Sequence, residues 1–167
     1  MNGIEGGVGI LKLSTAIGCG LMAGVFFAFS TLVMDGLARL DPRHATEAMQ
    51  SINVAAVQSI FIAGFMGTAL LCLITGIAAF VHRQQPGSML ILAGCAAYLI
   101  GSMLVTMICN VPLNDALAAA HTPDTSTDAL WRQYLSTWTA WNHVRTVSST
   151  AAMVLLIVGM CRGGAAT

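Results

Sequence analysis

Four long stretches without a charged residue constrain this chain more than any other feature of its sequence. An α-helix rises about 1.5 Å per residue and the hydrocarbon core of a bilayer is about 30 Å thick, so roughly 20 apolar residues cross it. The uncharged stretches cover residues 13–34, 48–81, 84–114 and 146–161. The last is short and needs the preceding turns to join it. We predict an all-α fold, a polytopic membrane four-helix bundle forming a single membrane domain over residues 1–167, with spans at about 13–34, 55–81, 89–109 and 139–161.

The composition supports a membrane protein and excludes several other classes. Hydrophobic residues make up 56% of the chain and charged residues only 8%, and the formal net charge is zero. An average soluble domain is about 25% charged. An ordinary soluble domain, a disordered segment and a nucleic-acid-binding protein that relies on basic side chains are therefore excluded. The partner that the composition implies is the lipid bilayer.

The connections between the spans are unequal in length. Residues 82–88 contain Pro86-Gly87, which predicts a tight hairpin between the second and third spans. The other two connections, about 35–54 and 110–137, are longer, and both lie at the opposite end, which we call the long-loop end. Each is expected to carry a short helix, one capped by Asp41-Pro42 and one over residues 127–135. Three basic residues lie at the short-loop end and four at the long-loop end, and we interpret the pattern as placing both termini in the cytoplasm.

Small residues and cysteines inside the spans are expected to serve helix packing. Close approach between helices stabilises bundles in lipid, and glycines recur at helical spacing in three spans. The five cysteines also lie inside or at the ends of spans without a CxxC motif, so neither a disulfide framework nor a zinc site is predicted.

The most informative polar stretch runs from Thr137 to Thr146, at the start of the fourth span. In a helix, four of its residues and one just beyond would share a face at spacings of three and four: Trp138, Trp141, Asn142, Arg145 and Ser149. His143 would point about 100° away from Asn142. Tryptophan and arginine also gather in interfacial belts without any ligand. A belt, however, does not require an Asn-His-x-Arg cluster, and polar groups at membrane depth tend to be functional.

A second polar cluster lies at the end of the third span. Pro112 lacks an N–H and is predicted to end or kink the helix there, with Asn110 and Asn114 on either side. These amides could cap helix ends or present polar groups to a ligand. We expect Asn53, which precedes the second span, to converge with them, Asn142 and Arg145 at the long-loop end. Arg145 is always charged, so we also expect it to contact an acidic side chain or the Asn110/Asn114 region.

The histidines do not form a recognisable metal-binding motif. His44, His121 and His143 could act with Asp115 as ligands, but no pair has a typical ligand spacing. We therefore predict no metal site, although the sequence leaves a metal or a heme open. No Gly-rich nucleotide loop and no nucleophile elbow is present.

Several of these segments together resemble the anthrone oxygenase family of small four-span membrane proteins. The resemblance covers about residues 18–158 and rests on the runs FFAFS (26–30), AMQSIN (48–53), NVPLN (110–114) and WTAWNHVRT (138–146). Most members are bacterial, which implies an integral protein of the bacterial inner membrane. The family name refers to the oxidation of anthrones to anthraquinones with dioxygen.

The resemblance implies a function and roles for particular residues. Loss of a proton from an anthrone gives an enolate that can react with O2 without a cofactor, so O2 is the co-substrate and no cofactor is predicted. The implied catalytic residues are His143 as the base, with Arg145 and Asn142 as oxyanion donors. The implied substrate-binding residues, for a small aromatic or amphiphilic ligand, are Trp138, Trp141, Asn110, Asn114, Asn53, Phe27 and Ser30.

Two other functions remain open at this point. The same polar ring could bind or transport a small amphiphile or a quinone without chemistry. Alternatively, the asparagine, arginine and tryptophan side chains could only hold helix ends together in a structural membrane protein.

Overall fold

The computed structural model describes residues 3–120 and 126–164, and every element in them is a helix. Some turns are π-helical, with wider i→i+5 hydrogen bonds. The α-helices are Gly3–Ala28, Met34–Leu37, Pro42–Gln58, Ile60–Val81, Ser88–Tyr98, Val111–Ala118 and Ser126–Gly164, and the π-helical segments are Phe29–Val33, Leu99–Leu104 and Thr106–Asn110.

Four of the resulting helical runs are long and apolar enough to cross a membrane, which confirms the predicted membrane helix bundle. We call them span 1 (Gly6–Leu37), span 2 (Ile60–Val81), span 3 (Ser88–Ala118) and span 4 (Asp128–Gly164). Spans 1, 3 and 4 extend beyond the predicted limits at the long-loop end. The short helix expected over residues 127–135 is not a separate element, because it forms the first turns of the continuous 39-residue helix that includes span 4.

The other predicted loop helix is present and leads directly into span 2. This connecting helix (Pro42–Gln58) begins at Asp41, whose carboxylate accepts a 3.0 Å hydrogen bond from the Arg43 N–H, with proline in the first turn. The chain leaves the helix for one residue at Ser59, where φ is −101° and ψ is 172°. The Ser59 hydroxyl then accepts a hydrogen bond from the Phe61 N–H. Span 2 therefore begins at residue 60 rather than at residue 55.

Span 3 continues past Pro112, so of the two outcomes predicted there, a helix end or a kink, the helix end is not found. The two π-helical segments of this span finish at Asn110, and Pro112 lies in the first turn of the α-helical segment that follows. A proline is tolerated in the first turn because its missing N–H would have no partner within that segment. The helix then continues to Ala118.

The buried apolar side chains form two clusters, one above the other along the bundle. The larger cluster joins all four spans and includes Phe26. The smaller, which we call the cap cluster, lies at the long-loop end and consists of Met34, Leu37, Ala45, Met49, Leu117, Trp131, Tyr134 and Trp138. It buries the connecting helix against the ends of spans 1 and 3 and the first turns of span 4. The polar residues predicted to converge lie where these two clusters meet.

Only some of the span glycines permit close helix packing. A Cβ atom added to Gly101 would collide with the Ser148 side chain of span 4, and one added to Gly94 would lie 3.0 Å from the Ala152 carbonyl oxygen. The same atom at Gly24 would meet nothing within 4 Å. The interface between spans 3 and 4 therefore depends on glycine, and so does the contact of Gly18 in span 1 with Thr68 of span 2, where an added Cβ would lie 2.6 Å from the hydroxyl oxygen.

Candidate functional site

Arg145 lies at the centre of the convergent polar residues. Its side chain is 6% exposed. Nη2 donates a 2.6 Å hydrogen bond to the Asn142 amide oxygen, and Nη1 donates a 3.3 Å bond to the Thr106 hydroxyl of span 3. The guanidinium carbon also lies over two aromatic rings, 4.5 Å from the centroid of Phe26 and 4.9 Å from that of Trp138. Cation–π contacts of this kind stabilise a charge that has left water.

Asn142 connects the arginine to span 1. It is fully buried, and its amide nitrogen donates two 2.8 Å hydrogen bonds, to the Phe26 carbonyl oxygen and to the Ser30 hydroxyl. With the bond from Arg145, both ends of the amide are used. Asn142 and Ser30, both predicted site residues, therefore lie in one hydrogen-bonded group.

Aromatic side chains of span 4 continue the cluster toward the cap. The rings of Trp131, Tyr134 and Trp138 stack in sequence, with centroid separations of 5.8 Å and 5.9 Å. The Trp138 indole and the Tyr134 hydroxyl both donate to the Asn114 amide oxygen, at 2.8 Å and 2.9 Å. The Asn110 amide donates to the Trp138 carbonyl oxygen at 3.3 Å. Spans 3 and 4 are thus joined by amides on either side of Pro112.

Three buried polar atoms around this cluster have no hydrogen-bond partner. They are two donors, Arg145 Nε and Asn53 Nδ2, and one acceptor, Asn110 Oδ1. Asn53 is contributed by the connecting helix and lies beside the Tyr134 hydroxyl. Leaving a buried polar atom unpaired costs about 1–3 kcal/mol. A ligand that supplies acceptors for the two donors and a donor for Asn110 would recover that energy.

The cluster lies near one boundary of the membrane. Span 4 ends at Gly164, 19 residues after Arg145, which is about 28 Å along a helix. A hydrocarbon core of about 30 Å that begins at the short-loop end therefore reaches the level of Arg145.

Seven of the ten residues predicted from the sequence lie in the cluster and three lie outside it. Those in the cluster are Ser30, Asn53, Asn110, Asn114, Trp138, Asn142 and Arg145. Phe27 is 59% exposed and Trp141 39% exposed, and His143 is also exposed. The helical period explains the difference for His143, which is rotated about 100° from Asn142. Phe26, rather than Phe27, supplies the aromatic ring of span 1.

Two residues of the cluster were not predicted from the sequence. Tyr134 lies four residues before Trp138 and so continues the same helical face, but it was assigned to a separate short helix over residues 127–135, and the fourth span was expected to begin only near residue 139. Thr106 lies one turn before Asn110 in span 3. Extending the three-and-four spacing backwards from each predicted residue would have identified both.

The expected acidic partner of Arg145 is not found in the parts of the chain that the structure describes. Both acidic candidates, Asp35 and Asp115, are exposed. The alternative expectation, contact with the Asn110/Asn114 region, is closer to the observed arrangement, because the Thr106 hydroxyl bound by Arg145 lies one turn from Asn110. The charge is held by an amide, a hydroxyl and two rings.

Within residues 3–120 and 126–164, no group of three or more His, Cys, Asp or Glu side chains is placed to hold a metal ion. His44 is exposed, and His121 lies outside the described residues. The cluster around Arg145 offers amide, hydroxyl and guanidinium groups, which suit an oxyanion or a carbonyl oxygen.

Comparison with known proteins gives one match. The family model for anthrone oxygenase matches residues 57–155. The matched region contains the cluster residues of spans 3 and 4, while Phe26, Ser30 and Asn53 precede it. No curated protein and no solved structure matches the chain.

Proposed function

The chain belongs to the anthrone oxygenase family, and from this premise we propose that it is a membrane-embedded oxygenase whose active site is the buried cluster around Arg145. The proposed substrate is an anthrone-like aromatic compound and the co-substrate is dioxygen. The observation that carries the proposal is a buried guanidinium with an unpaired Nε–H, together with a second buried, unpaired donor at Asn53 of the connecting helix.

The chemistry of an anthrone matches these donors. The ring CH2 lies opposite a carbonyl group, and removal of one proton places the charge largely on the carbonyl oxygen as an enolate. The enolate donates electrons to O2. The CH2 carbon becomes a second carbonyl that keeps one oxygen atom of O2, and the other oxygen leaves as water with the two hydrogens. The substrate supplies all four electrons, so the reaction needs no external reductant, and we propose that it needs no metal or flavin.

In this proposal Arg145 and Asn53 stabilise the enolate oxygen. Donors fixed where negative charge develops lower the barrier most, and removing one such donor typically costs about 10²–10³ in kcat. Asn142 does not touch the substrate but holds the guanidinium in place. Asn110 Oδ1 accepts a hydrogen bond from a hydroxyl group of the substrate, and the rings of Trp138 and Tyr134 provide an aromatic wall.

The proton is assigned to water rather than to His143. The imidazole of His143 is exposed and outside the cluster, whereas the charge of Arg145 stabilises the enolate directly. Stabilising the enolate lowers the pKa of the substrate CH2, so that a water molecule entering from the long-loop end can accept the proton.

Binding or transport of a quinone is the second candidate function. Its supporting observation is the same set of unpaired atoms, because a hydroxyquinone also offers acceptors and a donor. A purely structural role explains the bonds of Asn142 and Asn114, but it provides no partner for those three atoms. Catalytic turnover distinguishes the two functions, because only an enzyme converts its ligand to product.

We further propose that the protein resides in the bacterial inner membrane with both termini in the cytoplasm. The support is the set of basic residues at or near the short-loop ends of the spans, Lys12, Arg83 and Arg162, together with the short hairpin there. The active site would then open toward the opposite, outer face.

The experiment is oxidation of anthrone by the purified protein in lipid nanodiscs. Dioxygen consumption and anthraquinone formation are followed together, with empty nanodiscs as the control for spontaneous oxidation. We expect equal amounts of both, at a rate proportional to protein, and no loss of rate after treatment with chelators. Quinone binding without turnover would favour the binding function, and a Soret band or stoichiometric copper in the active preparation would contradict the cofactor-free reaction.

A further inference from the structure

We propose that, when no substrate is bound, the Arg145 site binds a small monovalent anion such as chloride, and that this anion competes with the substrate. The inference deepens the proposed function, because it assigns a regulation to the same site. Anion binding itself depends only on the structure, whereas competition depends on the proposed function.

The first argument is the charge of Arg145. The side chain is 6% exposed at the boundary of the membrane, and no carboxylate among the described residues pairs with it. Its two Nη bonds go to a neutral amide and a neutral hydroxyl. An uncompensated buried charge is costly, and two cation–π contacts offset only part of that cost. A bound anion would neutralise the remaining charge.

The second argument is the type of atom left unpaired beside the charge. Arg145 Nε and Asn53 Nδ2 are both donors, and the one unpaired acceptor of the cluster is Asn110 Oδ1. The acceptor oxygens of Asn142 and Asn114 are already bound to protein donors. The unused Nε–H belongs to the charged group itself, and an unused donor on a positive charge selects an anion over a cation or a neutral donor.

The third argument concerns the size and charge of the anion. The charge to be neutralised is single, so a divalent phosphate would leave a net negative charge in the same buried place. A halide carries one charge and accepts hydrogen bonds from any direction, so it does not require a matched geometry of donors. An enolate oxygen also carries one charge and would bind the same donors, so the substrate and the halide exclude each other.

The binding experiment compares thermal unfolding in chloride and in gluconate at equal ionic strength. Arg145→Gln removes the charge, and Arg132→Gln is the matched control, because Arg132 lies on the same helix but is exposed. For the unmodified protein and Arg132→Gln, we expect Tm to rise by about 3–5 °C at a chloride concentration ten times its Kd. Arg145→Gln should not respond. A missing shift in the unmodified protein, or an equal shift in Arg145→Gln, overturns the proposal.

A second measurement keeps the proposal testable if Arg145→Gln does not fold. Iodide quenches tryptophan fluorescence, and an iodide at Arg145 would lie close to the Trp138 ring. We expect a saturable component of quenching that is lost in Trp138→Phe and retained in Trp141→Phe. Purely linear quenching of the unmodified protein would overturn anion binding at this place.

The kinetic experiment separates the two parts of the inference. Chloride at its own Kd should about double the apparent KM for anthrone and leave kcat unchanged. A thermal shift without an effect on KM supports the anion site and overturns competition. A thermal shift with no anthrone turnover at all supports the anion site and contradicts the proposed enzymatic function.

Discussion

The guanidinium of Arg145 donates a 2.6 Å hydrogen bond to the side-chain oxygen of Asn142, which lies three residues earlier on the same helix. The amide nitrogen of Asn142 in turn holds span 1 through the Phe26 carbonyl and Ser30, and Arg145 reaches span 3 through Thr106. One charged group on span 4 is therefore tied to both span 1 and span 3.

Replacing Asn142 by leucine should destabilise the bundle strongly. The substitution keeps the side-chain volume but removes the amide oxygen that accepts from Arg145 and the amide nitrogen that donates to span 1. The buried guanidinium of Arg145 then has one hydrogen bond fewer. We expect a loss of about 3–5 kcal/mol, measured as the change in unfolding free energy in detergent. Ser30→Ala removes only one of the two acceptors of the amide nitrogen and should cost less than half as much. Equal stability of Asn142→Leu and the unmodified protein would mean that this amide does not hold the spans together.

Trp138 and Trp141 provide a matched pair of substitutions for ligand binding. Trp138→Phe loses the indole donor to Asn114 and weakens the contact with Arg145. We expect the Kd of a hydroxyanthraquinone, the product class, to rise by about tenfold. Trp141 is 39% exposed, and Trp141→Phe should leave this Kd unchanged. If both substitutions weaken binding to the same extent, the ligand does not depend on the buried cluster.

Substitution of His143 tests whether this side chain or a water molecule accepts the proton of the substrate. A general base contributes about 10²–10⁴-fold in rate, but the exposed position of this side chain predicts that His143→Ala retains turnover within about threefold. Steady-state oxidation of anthrone over a range of pH measures the effect. If the folded His143→Ala protein oxidises anthrone a hundredfold more slowly, His143 is the general base and the assignment of the proton to water is wrong.

The sequence predicts the number of spans well because lipid imposes it: a charged residue is costly within the bilayer, and a span has a minimum length. The hairpin was predictable because Pro86-Gly87 marks a turn, in which Gly87 has a positive φ of 82°. Helix ends at the long-loop end were less predictable, because hydropathy cannot distinguish a helix that stops at the membrane surface from one that continues into the cap. The helix that includes span 4 continues from residue 126, since Trp131, Tyr134 and Trp138 bury their rings in the cap cluster.

The candidate site was predictable to the extent that it follows the helical period. Trp138, Asn142 and Arg145 share a face and also share the cluster. The choice between neighbouring residues, such as Phe26 over Phe27, depends on how span 1 is rotated within the bundle. That rotation is set by the packing of span 1 against span 4. The spacing of residues along the sequence carries no information about this packing.

Gly101 and Gly24 test the packing of spans 3 and 4. A methyl group at Gly101 would collide with Ser148, and because Ser148 lies one turn from Arg145, the collision should displace the site as well. We expect Gly101→Ala to lower the unfolding free energy by about 1–3 kcal/mol. Gly24→Ala adds the same group where nothing lies within 4 Å, so its stability should remain the same or increase. A neutral effect at Gly101 would show that this interface has room to adjust.

The central claim is that Arg145 stabilises the oxyanion of an anthrone-like substrate in the buried cluster. The most direct measurement is kcat for anthrone oxidation by Arg145→Gln in nanodiscs, with Arg132→Gln as the control and gel filtration to establish that each variant is folded. We predict that folded Arg145→Gln loses about 10²–10³ in kcat while Arg132→Gln retains the full rate. A folded Arg145→Gln protein that oxidises anthrone as fast as the unmodified protein would contradict the account.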